Sequence, residues 1–67
     1  MDKNKLRGLI YSNYRTVADM ARKMGWGKQK LWRIITGKQL PNAYEIDAMA
    51  KAMQASRYDI LDLFLAP

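Results

Sequence analysis

The sequence predicts an all-α fold, a compact bundle of four to five short helices, on three observations. Apolar residues recur at i, i+3, i+4 and i+7 in successive blocks, the pattern of one buried helical face. Residues suited to helix ends bracket most of these blocks. No stretch alternates with period two for long enough to make a strand.

The elements follow in order. Leu6, Leu9, Ile10 and Tyr14 supply the inner face of a first helix, which tolerates Gly8 at a cost of about 1 kcal/mol relative to alanine. Thr16 is an N-cap for a second helix whose buried face is Val17, Met20, Ala21 and Met24, and Gly25 directly after it is a left-handed C-cap. Leu31, Ile34 and Ile35 mark a short third helix, opened near Gly27 and closed by Gly37. Pro41 and Asn42 restart the chain, and Ile46, Met49, Ala50 and Met53 repeat the helical template. Ser56 caps a last helix with Ile60, Leu61 and Phe64 facing inward, which leaves Leu63 and Leu65 as surplus apolar residues. The Met20/Met24 and Met49/Met53 pairs lie on these core faces and read as packing.

Composition removes whole classes of function. A chain of 67 residues makes one domain, residues 1–67, and buries only about 60% of the surface its unfolded form exposes, too little for a deep enclosed active site. With no Cys there is no disulfide, thiolate nucleophile or CxxC zinc site, and with no His there is no triad or imidazole metal site. Asp59 and Asp62 share a helical face but have no pocket to raise a pKa, and Gly37-Lys38 is followed by Gln39 where a P-loop needs Ser or Thr. No enzymatic activity, cofactor, metal or small-molecule ligand is therefore expected. The longest apolar run near the start, Leu9-Ile10-Tyr11, is far short of a signal-peptide core or a membrane span, so a soluble cytoplasmic protein is expected.

The net charge of +6 is unevenly placed. Residues 1–40 hold ten of the twelve Lys and Arg and only Asp2 and Asp19 of the acids, for +8; residues 41–67 set two basic residues against four acidic ones, for −2. A small domain with one strongly basic portion is the footprint of a polyanion partner, because neutralising phosphates releases condensed counterions.

The unit from Thr16 to Gly37 has the length and turn of a helix-turn-helix. Ala21 must be small where its two helices cross, and Gly25 must take positive φ. At about 100° per residue, Gln29 and Arg33 point away from the Leu31, Ile34 and Ile35 face, Lys28 splays from the first turn, and Trp32, Lys30 and Thr36 flank them. Arg33 can donate two hydrogen bonds to guanine O6 and N7, Lys28 can reach the same acceptors, and Gln29 can bracket adenine N6 and N7. Lys28, Gln29, Arg33 and Trp32 are thus the candidate base-reading residues. Trp32 either packs on a thymine methyl or sugar or covers the surface of the first helix.

The run Met20-Ala21-Arg22-Lys23-Met24-Gly25-Trp26-Gly27-Lys28-Gln29-Lys30-Leu31-Trp32-Arg33-Ile34-Ile35-Thr36-Gly37-Lys38, with Pro41 beyond it, resembles the phage repressor and Cro type of helix-turn-helix, the lambda-repressor-like DNA-binding domain. The likeness spans about residues 5–65, and Tyr14-Arg15-Thr16 resembles the short phage-encoded regulators in particular. It implies a bacterial, nucleoid-associated transcription regulator that binds double-stranded DNA as a homodimer, at least on the DNA. It also implies phosphate contacts at Arg15, Thr16, Lys30, Thr36 and Lys38. Several residues depart from the family pattern: Val17 replaces a phosphate-clamping Gln, Gly27 a Ser or Thr cap, Trp26 a smaller aliphatic, and Gln54 a Gly, while Ile35 replaces an acid and would add apolar surface near DNA. The surplus residues Leu63 and Leu65, together with the neighbouring Phe64, are either a dimer contact or a tail folded back on the first helix. An antirepressor or antitoxin-like module that binds protein through the same fold is the alternative function.

Overall fold

Local side-chain chemistry sets the helix boundaries in the computed structural model, which describes all residues 1–67. There are five helices and no strand: α1 (Lys3–Asn13), α2 (Val17–Met24), α3 (Lys28–Ile35), α4 (Ala43–Ala52) and α5 (Arg57–Leu65). Asp2, Thr16, Asn42 and Ser56 each accept the N3 backbone N–H of the helix that follows, at 2.8–3.0 Å. Glu45 and Asp59 return the bond to their cap residues, which makes reciprocal capping boxes at α4 and α5. Gly27 alone offers no side-chain cap, so α3 begins with its first amides unsatisfied by protein. Gly25 ends α2 at φ 74°, and the Trp26 N–H then reaches the Ala21 carbonyl at 2.8 Å, a tight left-handed stop that turns the chain directly into α3.

One apolar core draws on all five helices. Leu6, Ile10, Met20, Leu31, Ile34, Ile35, Met49, Met53 and Ile60 are fully enclosed, with Val17, Ala21, Ala50 and Leu63 completing the buried set. α4 packs on α5 and α2, α2 on α3, and α1 on α5 and α2. The end of α1 is tied to the end of α4 by polar bonds: the Tyr14 hydroxyl donates to the Ala52 carbonyl at 2.7 Å and the Asn13 amide to the Met53 carbonyl at 3.0 Å.

Three sequence expectations are corrected here. α5 turns Ile60 and Leu63 into the core with Phe64 half-buried, whereas Leu61 lies on its exposed flank. Leu63 is only 3% exposed, and its carbonyl accepts the Asp2 N–H at 2.9 Å, so it cannot serve as a dimer contact. Ile35 is likewise enclosed, so it offers DNA no apolar surface and acts through packing.

Gln54 has positive φ, 54°, the only non-glycine residue in the chain to do so. A side chain there costs about 1–2 kcal/mol relative to glycine, partly offset by the lower unfolded-state entropy of a non-glycine residue and by a 3.3 Å bond from its amide to Asn13. Gln54→Gly is expected to stabilise the fold by about 0.5–1 kcal/mol, read as a rise of a few degrees in Tm.

Candidate nucleic-acid interface

Three buried side chains determine which way α3 faces. Leu31, Ile34 and Ile35 hold it against the core, and the nearly enclosed Ala21 lets α2 lie close behind it. The opposite side is left to solvent. Lys28, Gln29, Trp32, Arg33, Thr36 and Lys38 line one open, shallow surface there. The candidate base-reading residues therefore share a face with two of the candidate phosphate residues. Trp32 is half-buried, with part of its ring packed against the core and part lining the open face.

Within this surface Arg33 is oriented by a residue the sequence reading passed over. Its Nε donates to Gln39 Oε1 at 3.3 Å, and neither Nη group has a partner within the protein. Gln39 comes within reach because Gly37, at φ 81°, folds the chain back so that the Lys38 and Gln39 N–H groups both donate to the Arg33 carbonyl. No local pattern signals this, since it depends on the shape of the turn. Thr36 donates its hydroxyl to the Trp32 carbonyl at 2.7 Å, which holds the last turn of α3.

Arg15 and Thr16 are exposed at the start of α2, where the Thr16 oxygen already accepts the Asp19 N–H. Asp19 is paired with Arg22 at 3.0 Å, so the acid nearest this helix start is partly neutralised. Val17 is 4% exposed and belongs to the core, consistent with the absence of a clamping side chain at that position.

A family model described as a helix-turn-helix domain matches residues 5–63. The chain belongs to the helix-turn-helix domain family. Neither the curated proteins nor the solved structures returned a match. As a helix-turn-helix protein it carries a DNA-binding fold, in a family that is typically non-enzymatic. None of its helices is long and apolar enough to cross a membrane.

Lys30, expected from the resemblance among the phosphate contacts, is engaged elsewhere in this helix-turn-helix domain. Its ammonium pairs with Glu45 at 2.8 Å and sits 4.4 Å from the centroid of the Trp26 ring. The pair ties α3 to the first turn of α4, and the larger residue at position 26 provides the platform for it. Lys30 and then the Asn42 backbone N–H hold the Glu45 carboxyl below the usual carboxylate range.

Because that pKa is lower in the fold than in the unfolded chain, the pair stabilises above the unfolded carboxylate range, and its contribution is lost as pH falls through the folded value. Glu45→Gln keeps a capping side chain and removes the charge. The variant is expected to be less stable than the parent at neutral pH, by no more than about 1 kcal/mol, and to converge with it as pH falls through the folded-state value of Glu45. Thermal melts of the two proteins across that range would show the gap closing; a gap that persists in acid would assign the effect to the cap and not to the charge.

Proposed function

We propose that this domain is a sequence-specific, double-stranded DNA-binding transcription regulator of the phage repressor or Cro type. In this reading α3 lies in the major groove, and two copies occupy the half-sites of one operator. The observation that carries it is the open face of α3, where Lys28, Gln29 and Arg33 project from a helix locked from behind by Leu31, Ile34 and Ile35.

Arg33 reads guanine O6 and N7 with its two free Nη groups, Gln29 brackets adenine, and Lys28 reaches a guanine as a point charge. Trp32 adds apolar contact with a thymine methyl or a sugar. Lys38 and Thr36 at one end of the motif, and Arg15 and Thr16 at the other, bracket the groove with phosphate contacts that set register without reading sequence. Lys30 joins them only by exchanging Glu45 for a phosphate. Such a regulator works on the nucleoid, by occupying its operator and excluding polymerase.

Selection of bound duplexes from a random pool tests this reading. The expected outcome is an enriched motif of two half-sites about 10 base pairs apart, with guanine and adenine at the positions α3 reaches. Affinity for that motif should fall with salt at a log–log slope of roughly −0.9 per phosphate neutralised. If no duplex is enriched, the DNA reading is lost and a protein-binding module on the same fold takes its place.

A further inference from the structure

The start of α3 is the least secured of the five helix starts, yet it carries Lys28 and Gln29. Gly27 provides no side-chain acceptor for its amides. Its first backbone bond, from the Leu31 N–H to the Gly27 carbonyl, is 3.4 Å long, whereas the corresponding bonds of the other four helices run from 2.9 to 3.3 Å. The first turn also lacks an acid to complement the positive end of the helix, while α2, α4 and α5 hold Asp19, Glu45 and Asp59 there. Lys28 and Lys30 add positive charge instead. Lys28 and Gln29 are exposed, and the side chain of this turn that reaches back to the protein is Lys30.

We propose that Trp26, Lys30 and Glu45 form a brace that replaces the missing cap and fixes the first turn of α3 for base reading by Lys28 and Gln29, with the Lys30–Glu45 pair kept intact on DNA. The inference rests on the DNA-binding reading above and assigns positioning residues to it.

Glu45 is a fixed anchor. Its Oε1 accepts the Asn42 N–H at 2.8 Å in the α4 capping box, and its Oε2 takes the Lys30 ammonium at 2.8 Å, so one carboxylate serves two helix starts. The Glu45 side chain is 11% exposed, so this pair is screened by solvent and salt less than the open pairs Arg22–Asp19 and Arg57–Asp47. Trp26 holds the same ammonium, 4.4 Å from its ring centroid. The ring is itself secured, because it packs against the core and its backbone N–H donates to the Ala21 carbonyl. A phosphate would have to displace a carboxylate and a ring together to capture Lys30. Two departures from the family pattern thus belong together: Gly27 removes a local restraint, and Trp26 helps supply one from further away. The far end of α3 does not depend on the brace, since Ile34 and Ile35 are enclosed there and Gln39 holds Arg33.

Base-by-base discrimination provides the test. Lys30→Met keeps the stem and loses the charge, and Glu45→Gln keeps the cap and loses the charge, so each breaks the brace. Gln29→Ala and Arg33→Ala first assign the base pair of the selected duplex that each side chain reads. Both brace variants should then lose about fivefold or more of the discrimination at the Gln29 base pair, stay within about twofold of the parent at the Arg33 base pair, and keep the parent's salt slope. Lys30→Arg, which retains the charge and the stacking, should behave as the parent does. Equal losses at the two base pairs, or no loss at either, overturn the proposal and leave the DNA reading standing. A salt slope reduced by about one unit in Lys30→Met also overturns it, because Lys30 would then be a phosphate contact. Amide hydrogen exchange in the free proteins tests the brace without DNA. The Leu31 N–H should exchange about fivefold or more faster in Lys30→Met, with the Thr36 N–H at the other end of α3 unchanged. If no duplex binds the parent, the DNA reading fails by itself; an unchanged Leu31 rate overturns the brace.

Discussion

Leu31→Ala is expected to lower the stability of the fold by about 2–5 kcal/mol. At about 0.05–0.15 kcal/mol per residue, a 67-residue domain has only about 3–10 kcal/mol in total. The substitution therefore brings the protein close to unfolding at room temperature. Leu31 is fully enclosed, and it is the first of the three side chains that hold α3 down. An eight-residue helix that follows Gly27 without a side-chain cap does not persist by itself in water. Its existence depends on Leu31, Ile34 and Ile35. Urea denaturation followed by circular dichroism measures the loss, and Leu31→Met, which nearly conserves volume, should cost less than about 1.5 kcal/mol. DNA affinity should fall in proportion to the folded fraction. A Leu31→Ala protein that melts within about 1 kcal/mol of the parent would show that the core collapses into the space and that α3 is held by other contacts.

The same buried residues explain how much of the molecule was legible in its sequence. Thr16, Gly25, Asn42 and Ser56 announced helix ends because a cap is made by a residue and the chain within a few positions of it. Leu31, Ile34 and Ile35 fixed the phase of α3, so the outward direction of Gln29 and Arg33 followed from arithmetic alone. α5 failed for the opposite reason. Ile60, Leu61, Leu63, Phe64 and Leu65 place apolar groups around much of the helix, so periodicity names no unique inner face. Packing on α4 and α1, with the bond from the Asp2 N–H to the Leu63 carbonyl, made the choice. The Lys30–Glu45 pair joins residues fifteen positions apart, and the Arg33–Gln39 bond depends on a glycine turn. Both arise from how elements meet, which no local pattern encodes.

Replacing Arg33 and Lys38 in turn should separate base reading from phosphate contact on one surface. Arg33→Ala is expected to cost about 1–3 kcal/mol on the selected duplex and to abolish the preference at one base pair of each half-site, with little change on unrelated DNA. Lys38→Ala should weaken binding to every duplex alike and reduce the salt slope by about one unit, because a phosphate contact carries no sequence information. The two side chains lie on the same open face, only five residues apart, so a purely electrostatic surface would make the variants indistinguishable. What sets Arg33 apart is its orientation: Gln39 accepts from Nε at 3.3 Å and leaves the planar Nη pair free for two parallel hydrogen bonds. Arg33→Lys, which keeps the charge and loses that fork, should therefore behave like Arg33→Ala in specificity and like the parent in salt slope. Titrations of each variant against the selected duplex and its single-base changes, at two salt concentrations, decide the matter. If Arg33→Lys retained full discrimination, charge alone would be reading the site, and Gln39 would have no part in it.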